Sequence, residues 1–286
     1  MALGTTHTSS TTLDTLIPEL WGPKMNDFYR QKLILANFFE DLSGEFADGG
    51  DVMHIPSISQ MTANTKGNGS QVTLNAPTET KVDLTVNTWK EVSFIIEDRE
   101  AKIVKNSFNL QQKYMKNAAY TAAKAIDQAI ADLVPSFTQT QGASTARLVD
   151  SDIRGALLQL DNAFVPDEDR AFFLTPKLIW TDVQAIDRFA LAINTSGSTN
   201  PVTMAPAAML YGVPIYKSTL VASALGGSGY GSSFLAHREA IVWAATIMRT
   251  QADYILEYLG TLVVCDVLYG ATINRNTSGV WIKTAS

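Results

Sequence analysis

The side chains that most often carry chemistry are thinly spread in this chain. Its 286 residues include three histidines, His7, His54 and His237, and one cysteine, Cys265. Metal sites draw three or four such ligands together at short spacings, so a metal cluster is not expected. Cys265 lies in the largely apolar run 262–268 and reads as a small buried hydrophobe; a single cysteine excludes an intrachain disulfide. The acidic piece Asp167, Glu168, Asp169, Arg170 invites an acid–base or metal reading, but its spacing fits no EF-hand loop. It reads as a solvated turn. Asp182 and Asp187 are the pair a hydrolase would use. His54, two residues before Pro56, reads as a structural hydrogen-bonder in a strand. GSGYG (227–231) has the look of a nucleotide loop without the strand–loop–helix context that such a loop needs. No GxSxG elbow, no GxxxxGK[ST] loop and no GxGxxG opening a helix occur. The expectation is no catalytic, cofactor-binding or metal-binding residue, and no cofactor.

Composition narrows the classes further. Hydrophobic residues make up 46% and charged residues 17%, enough to bury a substantial core. The formal net charge of −6 argues against a dedicated nucleic-acid binder, which carries a basic excess. It leaves room for a protein that encloses nucleic acid without gripping it. Lys24, Arg30 and Lys32 form a small basic cluster that reads as a solvated helix face. The start, MALGTTHTSSTT, lacks the basic and apolar regions of a signal peptide. No apolar run approaches the ~18 residues of a membrane span. A soluble protein made in the cytoplasm, with no membrane partner, is the expectation.

The element around which the chain is arranged is 97–134. This stretch has no Gly and no Pro. Val104, Phe108, Met115, Ala119, Ala122, Ile126, Ala129 and Leu133 recur at helical spacings and form one apolar stripe. Glu97, Asp98 and Glu100 suit a helix start, and Pro135 stops it. At ~1.5 Å per residue such a helix would be on the order of 55 Å long. Before it, residues 1–12 read as a mobile Ser/Thr-rich tail. Leu13, Leu16, Ile17 and Leu20 suggest one helical turn with Asp14 as N-cap, and Phe28, Leu33, Leu35, Phe38 and Phe39 a second helix. Val52 to Pro56 reads as a strand. Val82, Leu84 and Val86 alternate with polar neighbours, the period of a half-buried strand, and 89–96 continues in β. The region 51–96 is thus expected to be a two- or three-stranded β excursion that leans on another surface.

After the long helix, 136–146 reads as loop and 150–164 as an amphipathic helix. Its apolar side is Ile153, Leu157, Leu158 and Leu160, with Asp150 or Ser151 as cap. A buried strand is expected at 171–174, and a Pro-led helix at 176–192 with Asp182 and Asp187 exposed. Loops are expected at 194–205 and 225–233. A Gly turn and short strand should fall within 207–218, and a strand-like run at 234–246. Heavily buried β is expected at 254–258 and 261–269, with a bend at Gly270. A last hairpin is expected between 271–273 and 280–282.

The order of these parts, with several stretches of sequence, resembles the major capsid proteins of tailed bacteriophages, the Hong Kong 97-like coat fold. IPELWGPKMNDFYRQKLILANFFED (17–41) is similar to the family's N-terminal arms. GDVMHIPSI (50–58) resembles the start of its extended loop. VPDEDRAFFLTP (165–176), YGVPIYKS (211–218), FLAHREAIVWAA (234–245) and LVVCDVLYGATINRNTSGVWI (262–282) resemble its axial and peripheral strands. The resemblance implies an α+β fold divided into an N-terminal arm (1–50), an extended β loop (51–96), a spine helix with the first part of a peripheral domain (97–146), an axial domain (147–245) and the rest of the peripheral domain (246–286). It also implies a virion coat protein, not an enzyme. Copies would form the hexamers and pentamers of an icosahedral head around double-stranded DNA. Scaffolding, portal and decoration proteins are the implied partners, and contact with the DNA is weak and non-specific. Lys66 and Lys81 fall in the loop region where some relatives cross-link, but no partner or catalytic acid points to cross-linking here. Two other readings stand beside this one, an encapsulin-type compartment shell and a cytoplasmic hydrolase.

The stripe makes a direct prediction. Ala122→Pro breaks the long helix near its middle at a cost of about 3 kcal/mol or more. It is expected to abolish soluble assembly, checked by size-exclusion chromatography. Normal particles from this variant would rule out a helix at 122.

Overall fold

A computed structural model describes residues 30, 33–46, 49–99, 110–186, 209–221 and 230–285. Helix α1 (Leu35–Phe38) and strand β1 (Glu40–Asp41) come first. Strands β2 (Val52–Ile58), β3 (Glu79–Thr85) and β4 (Thr88–Glu97) follow. Then come helix α2 (Leu110–Asp132), strand β5 (Gln139–Gly142), helix α3 (Asp150–Asn162), strand β6 (Arg170–Leu174) and helix α4 (Pro176–Thr181). Strands β7 (Met209–Leu210), β8 (Val213–Lys217), β9 (Tyr230–His237), β10 (Ile241–Ile255), β11 (Gly260–Ile273) and β12 (Gly279–Ala285) close the chain. This is an α+β fold.

The strands form three sheets. One is four-stranded, in the order β1-β10-β11-β4; the second is six-stranded, β5-β12-β9-β6-β8-β7; the third is the β2–β3 pair. The four-stranded sheet lays one face on α2. There Trp243, Cys265, Val267 and Tyr269 meet Ala118, Ala122, Ile126 and Ile130. Its other face meets Leu84 and Val86 through Val242 and Ala244, so the base of the β2–β3 ribbon covers only one end of it. The six-stranded sheet is buried on both faces. Along β6, Ala171 and Phe173 enter the α2 core while Phe172 and Leu174 enter a second core beneath α3 and α4. Alternation with both sides covered explains why all five residues of β6 are buried.

A stack of rings ties the six-stranded sheet to the N-terminal segment. Phe173 lies 4.6 Å from Phe234 and 5.9 Å from Phe39, centroid to centroid, in stacked geometry. Phe38 meets Phe173 edge-on at 5.1 Å. Each such pair adds ~0.5–1.5 kcal/mol beyond its buried area. Beside this stack lies Asp127 of α2, only 1% exposed. Its carboxylate accepts backbone N–H bonds from Ile34 (2.9 Å), Leu35 (3.2 Å) and Ala36 (2.8 Å). These are the orphan donors at the start of α1.

Several expectations hold. Val82 is half-buried, and Leu84 and Val86 are buried, with the polar residues between them exposed. Cys265 is buried. The turn before β8 is made by Tyr211 and Gly212, with φ of 51° and 84°. Thr175 caps α4 by accepting from the Leu178 N–H, with Pro176 as first helical residue.

Others are corrected. The β excursion takes the two-stranded form of the two- or three-stranded expectation; what is corrected is its extent, because β4 pairs with β11 over ten residues and so belongs to the four-stranded sheet. The segment 136–146 contains β5, a polar strand parallel to β12 at the sheet edge. In α3 the buried residues are Ile153, Ala156 and Leu160; Leu158 faces solvent. Neither Asp150 nor Ser151 is the cap, since the helix begins at Asp150 and Asp152 accepts from the Val149 N–H. The Pro-led helix ends at Thr181, and Asp182 is buried rather than exposed. Tyr230 to Ser233 belong to β9 and pair with β12. The run 234–246 is broken by a 3₁₀ turn, Arg238–Ala240. At 254–258, Tyr254, Leu256 and Tyr258 are exposed, since the hairpin turns there. Gly270 does not bend β11. A side chain there would put Cβ 2.0 Å from the Thr85 carbonyl oxygen, so glycine lets β3 approach. The last hairpin does not form, because β11 and β12 lie in different sheets. Of the long helix, 110–132 is described; Val104 and Phe108 lie outside the described residues. So do 1–29 with Asp14 and Phe28, Asp187, and the expected loop at 194–205.

Removing the Asp127 carboxylate leaves two buried N–H groups and one half-buried one without acceptors, each buried group worth ~1–3 kcal/mol. Asp127→Ala is therefore expected to destabilise the subunit by about 3 kcal/mol or more, read from chemical denaturation. A loss under ~1 kcal/mol would show that the segment 34–36 is held by something else.

Candidate functional site

The sequence-nominated residues are scattered. Asp182 accepts the Leu148 N–H at 3.1 Å and lies by the second core, so its carboxylate is a backbone cap. His237 ends β9, and its Nδ1 accepts from the Glu239 N–H at 3.2 Å. Arg170, expected in a solvated turn, is 4% exposed, with its guanidinium pinned by Asp161 (2.6 Å), Asp167 (3.0 Å) and the carbonyls of Pro166 and Val165. It locks the turn between α3 and β6. Lys66 sits in the exposed stretch between β2 and β3. No group of three or more His, Cys, Asp or Glu suited to a metal occurs among the described residues. No described helix is long and apolar enough to cross a membrane.

His54 has more company than the sequence suggests. Across the β2–β3 ladder it opposes Asp83, with Nδ1 2.6 Å from Oδ1. Lys81 Nζ lies 3.2 Å from the same Nδ1 and 3.4 Å from Asp83. The hydrogen bond from His54 holds the Asp83 carboxyl below its ordinary 3.8; Lys81 assists, against a smaller opposing effect of burial. All three side chains face solvent, so this is a cross-strand clasp, not an acid–base pair around a substrate.

A concave feature with charge among the described residues is a cleft of about 420 Å³ on the sheet face away from α2. Its floor holds Asp266, which takes Arg249 Nε at 2.9 and 3.2 Å and Trp89 Nε1 at 3.3 Å. The bond from Arg249 keeps the Asp266 carboxyl below the usual range. Both partners are engaged with each other, and Lys90, Glu91 and Asp253 line the cleft around them.

What the fold displays is surface. Between β2 and β3, residues 59–78 form no strand, yet the two limbs run side by side. Asn64 donates to Asn75 Oδ1 at 2.8 Å, the Ser59 N–H to the Thr78 carbonyl at 3.1 Å, and the Ser70 N–H to the Gly67 carbonyl at 3.2 Å at the tip. Ile58, Met61, Val72 and Leu74 are exposed along it, Leu74 by 88%. The β10–β11 hairpin ends in a second apolar tip, with Tyr254, Leu256, Tyr258 and Leu259 exposed. There Asp98 accepts from the Tyr254 hydroxyl at 2.9 Å and raises its pKa above the usual 10.0. Side chains of this size left outside mark interaction surfaces.

No family model matches the sequence, and no curated protein does. Solved structures do. A chain from Mycobacterium phage Che8 is 22% identical, with a TM-score of 0.74 over 93% of this chain and 96% of that one. A chain of the capsid of Cyanophage P-SCSP1u is 15% identical, with a TM-score of 0.75 over 100% and 97%. A chain of the mature capsid of bacteriophage PhiM1 is 12% identical, with a TM-score of 0.75 over 94% and 92%. The fold is thus that of phage capsid chains, matched over 94–100% of this chain and 92–97% of theirs.

The clasp has a pH signature. Asp83 has a lowered pKa in the fold, so its contribution to the ribbon is full above the unfolded value near 3.8 and fades as pH falls through the lower folded value. Asp83→Asn is expected to remove this dependence, read as amide exchange of 52–58 between pH 2 and 6. Identical exchange profiles for the two proteins would show that the clasp does not stabilise the ladder.

Proposed function

We propose that this chain is the major coat subunit of a tailed-phage head. Copies join as hexamers and pentamers that tile a closed icosahedral shell around double-stranded DNA, so the protein's place is the virion. The observation that carries this reading is the match to capsid chains over 94–100% of this chain and 92–97% of theirs. The physical features agree with it. The ribbon and the β10–β11 tip carry large apolar groups that the subunit itself leaves uncovered. Subunits that assemble permanently leave such groups for their neighbours. The charged clusters among the described residues are caps and clasps, which supports a structural role over a catalytic one.

The parts map onto the coat plan as follows. Residues 1–50 are the arm, 51–96 the extended loop with β4 returning to the core, 97–146 the spine and the first part of the peripheral domain, 147–245 the axial domain, and 246–286 the remainder of the peripheral domain. Scaffolding, portal and decoration proteins are the partners such a shell engages.

Electron microscopy of the expressed full chain, compared with a variant lacking 60–80, tests the reading. The full chain is expected to give uniform polyhedral or tubular particles. The deletion variant is expected to fold, by circular dichroism, and to lose them. Particles that protect double-stranded DNA from nuclease identify a head; particles filled with protein identify a compartment shell. Equal assembly of the two chains would remove the loop from the account.

A further inference from the structure

Strand β10 has an edge that its own subunit leaves open. One side of it pairs with β11 along its length. The other side pairs with β1 at Val242 and Trp243. Just beyond, the Ala245 N–H donates to Ser43 Oγ at 2.9 Å, where the cover ends. From 246 to 255 no strand among the described residues pairs with that side. The length 246–255 contains no Gly and no Pro. The register shift of β10 lies between Ala245 and Ile247, where the cover stops, and the pairing with β11 runs on evenly from there to Ile255. A long edge without such breaks is a template for another strand.

The side chains on this edge select the strand. Arg249, Gln251 and Asp253 lie on the cleft face of the sheet, and all three are exposed. Two copies of β10, paired antiparallel about a twofold axis through Gln251, set the Arg249 of each opposite the Asp253 of the other. Thr250 then stands opposite Ala252. Directly opposed residues hold their Cβ atoms ~4.5–5.5 Å apart, within reach of an ion pair. Both charged groups have bonding capacity left. Arg249 binds Asp266 through Nε, and a guanidinium carries further N–H donors. Asp253 accepts the Tyr254 N–H with Oδ1 at 2.8 Å and forms no ion pair among the described residues. The opposite edge of the sheet, β4, lacks this match. A twofold axis normal to the sheet brings face to face only residues an even number apart, because side chains alternate between faces. In β4, Lys90 is one residue from Glu91 and seven from Glu97, and the even separation is the one between the two glutamates.

We infer that the free edge of β10 docks the same edge of a second copy of this chain, joining the two four-stranded sheets into one continuous sheet across a twofold axis at Gln251. This rests on the coat-subunit reading and adds to it a contact between rings. Neighbours within a ring of five or six meet head-to-tail, whereas a self-complementary contact is twofold and links one ring to the next.

The test uses the full chain. Gln251→Cys sets a thiol opposite its own copy, at a Cα separation of ~4.5–5.5 Å that a disulfide spans. The native Cys265 is buried. Oxidised with copper–phenanthroline, the assembled Gln251→Cys chain is expected to run as a covalent dimer on a non-reducing gel. Thr250→Cys alone is expected to stay single, because its two copies lie ~8 Å apart, beyond the reach of a disulfide. Mixed with Ala252→Cys chains, it is expected to link. Adding Asp253→Arg to the Gln251→Cys chain opposes Arg249 with a like charge and is expected to lose the dimer, with the circular dichroism unchanged. Assembled particles in which the Gln251→Cys chain stays single overturn the inference and leave the coat reading standing; the edge then holds another strand or none. Thr250→Cys linking alone as fully as Gln251→Cys also overturns it, since the contact then has no fixed register. So does a dimer that survives Asp253→Arg, since charge then does not select the partner. A linked dimer from a chain that forms no particles supports the pairing and defeats the coat reading beneath it.

Discussion

A single buried carboxylate ties the N-terminal segment to the long helix. Asp127 sits on the long helix and takes three backbone N–H groups of a segment more than 90 residues earlier in the chain. Burying an aspartate is costly unless its charge is fully hydrogen-bonded. Here the start of α1 supplies the donors and, with them, the positive end of a short helix. The carboxylate thus fixes where the N-terminal segment crosses α2. That crossing sets Phe38 and Phe39 against Phe173 and lays Arg30 over Tyr120. It also brings the Ala36 carbonyl to the Trp243 indole N–H at 3.1 Å. The helix, the segment and both larger sheets are then one body.

On that body the remaining parts are outward-reaching. The β2–β3 ribbon stands on one end of the four-stranded sheet, anchored by Leu84 and Val86 and by the close approach that Gly270 permits. Beyond its ladder it has few contacts with its own subunit. The β10–β11 hairpin extends fourteen register pairs to an exposed tip. Long, stiff extensions on a rigid centre serve geometry. They hold apolar side chains at fixed distances from the core, which a tiling subunit requires and a catalytic site does not.

The sequence showed the elements whose signals are local. Alternation at Val82, Leu84 and Val86 marked β3, and helical spacing through Ala122, Ile126 and Ala129 marked α2. The resemblance to coat proteins came from the order of such parts, and the whole-length fold match agrees with it. What stayed hidden depends on distant partners. Asp127 looks like a solvated residue on an amphipathic helix, because its donors are far away in the chain. Asp182 looks exposed for the same reason. The strand β5, QTQG, has no apolar pattern; it exists because β12 offers an edge. Gly270 reads as a bend until Thr85 is placed beside it. The His54–Asp83–Lys81 clasp needed the β2–β3 register, which the two strands together fix but neither contains alone. The apolar tip at 254–259 has the composition of a core strand, yet Tyr254, Leu256, Tyr258 and Leu259 are exposed because the hairpin turns there.

The central claim is that the chain's chemistry is assembly. Sedimentation velocity of the intact 31.1 kDa chain across a wide concentration range tests it most directly. The account predicts discrete closed species of very high mass in equilibrium with, or trapped from, small capsomer-sized oligomers. A single 31.1 kDa monomer at every concentration, with the fold intact, would contradict it.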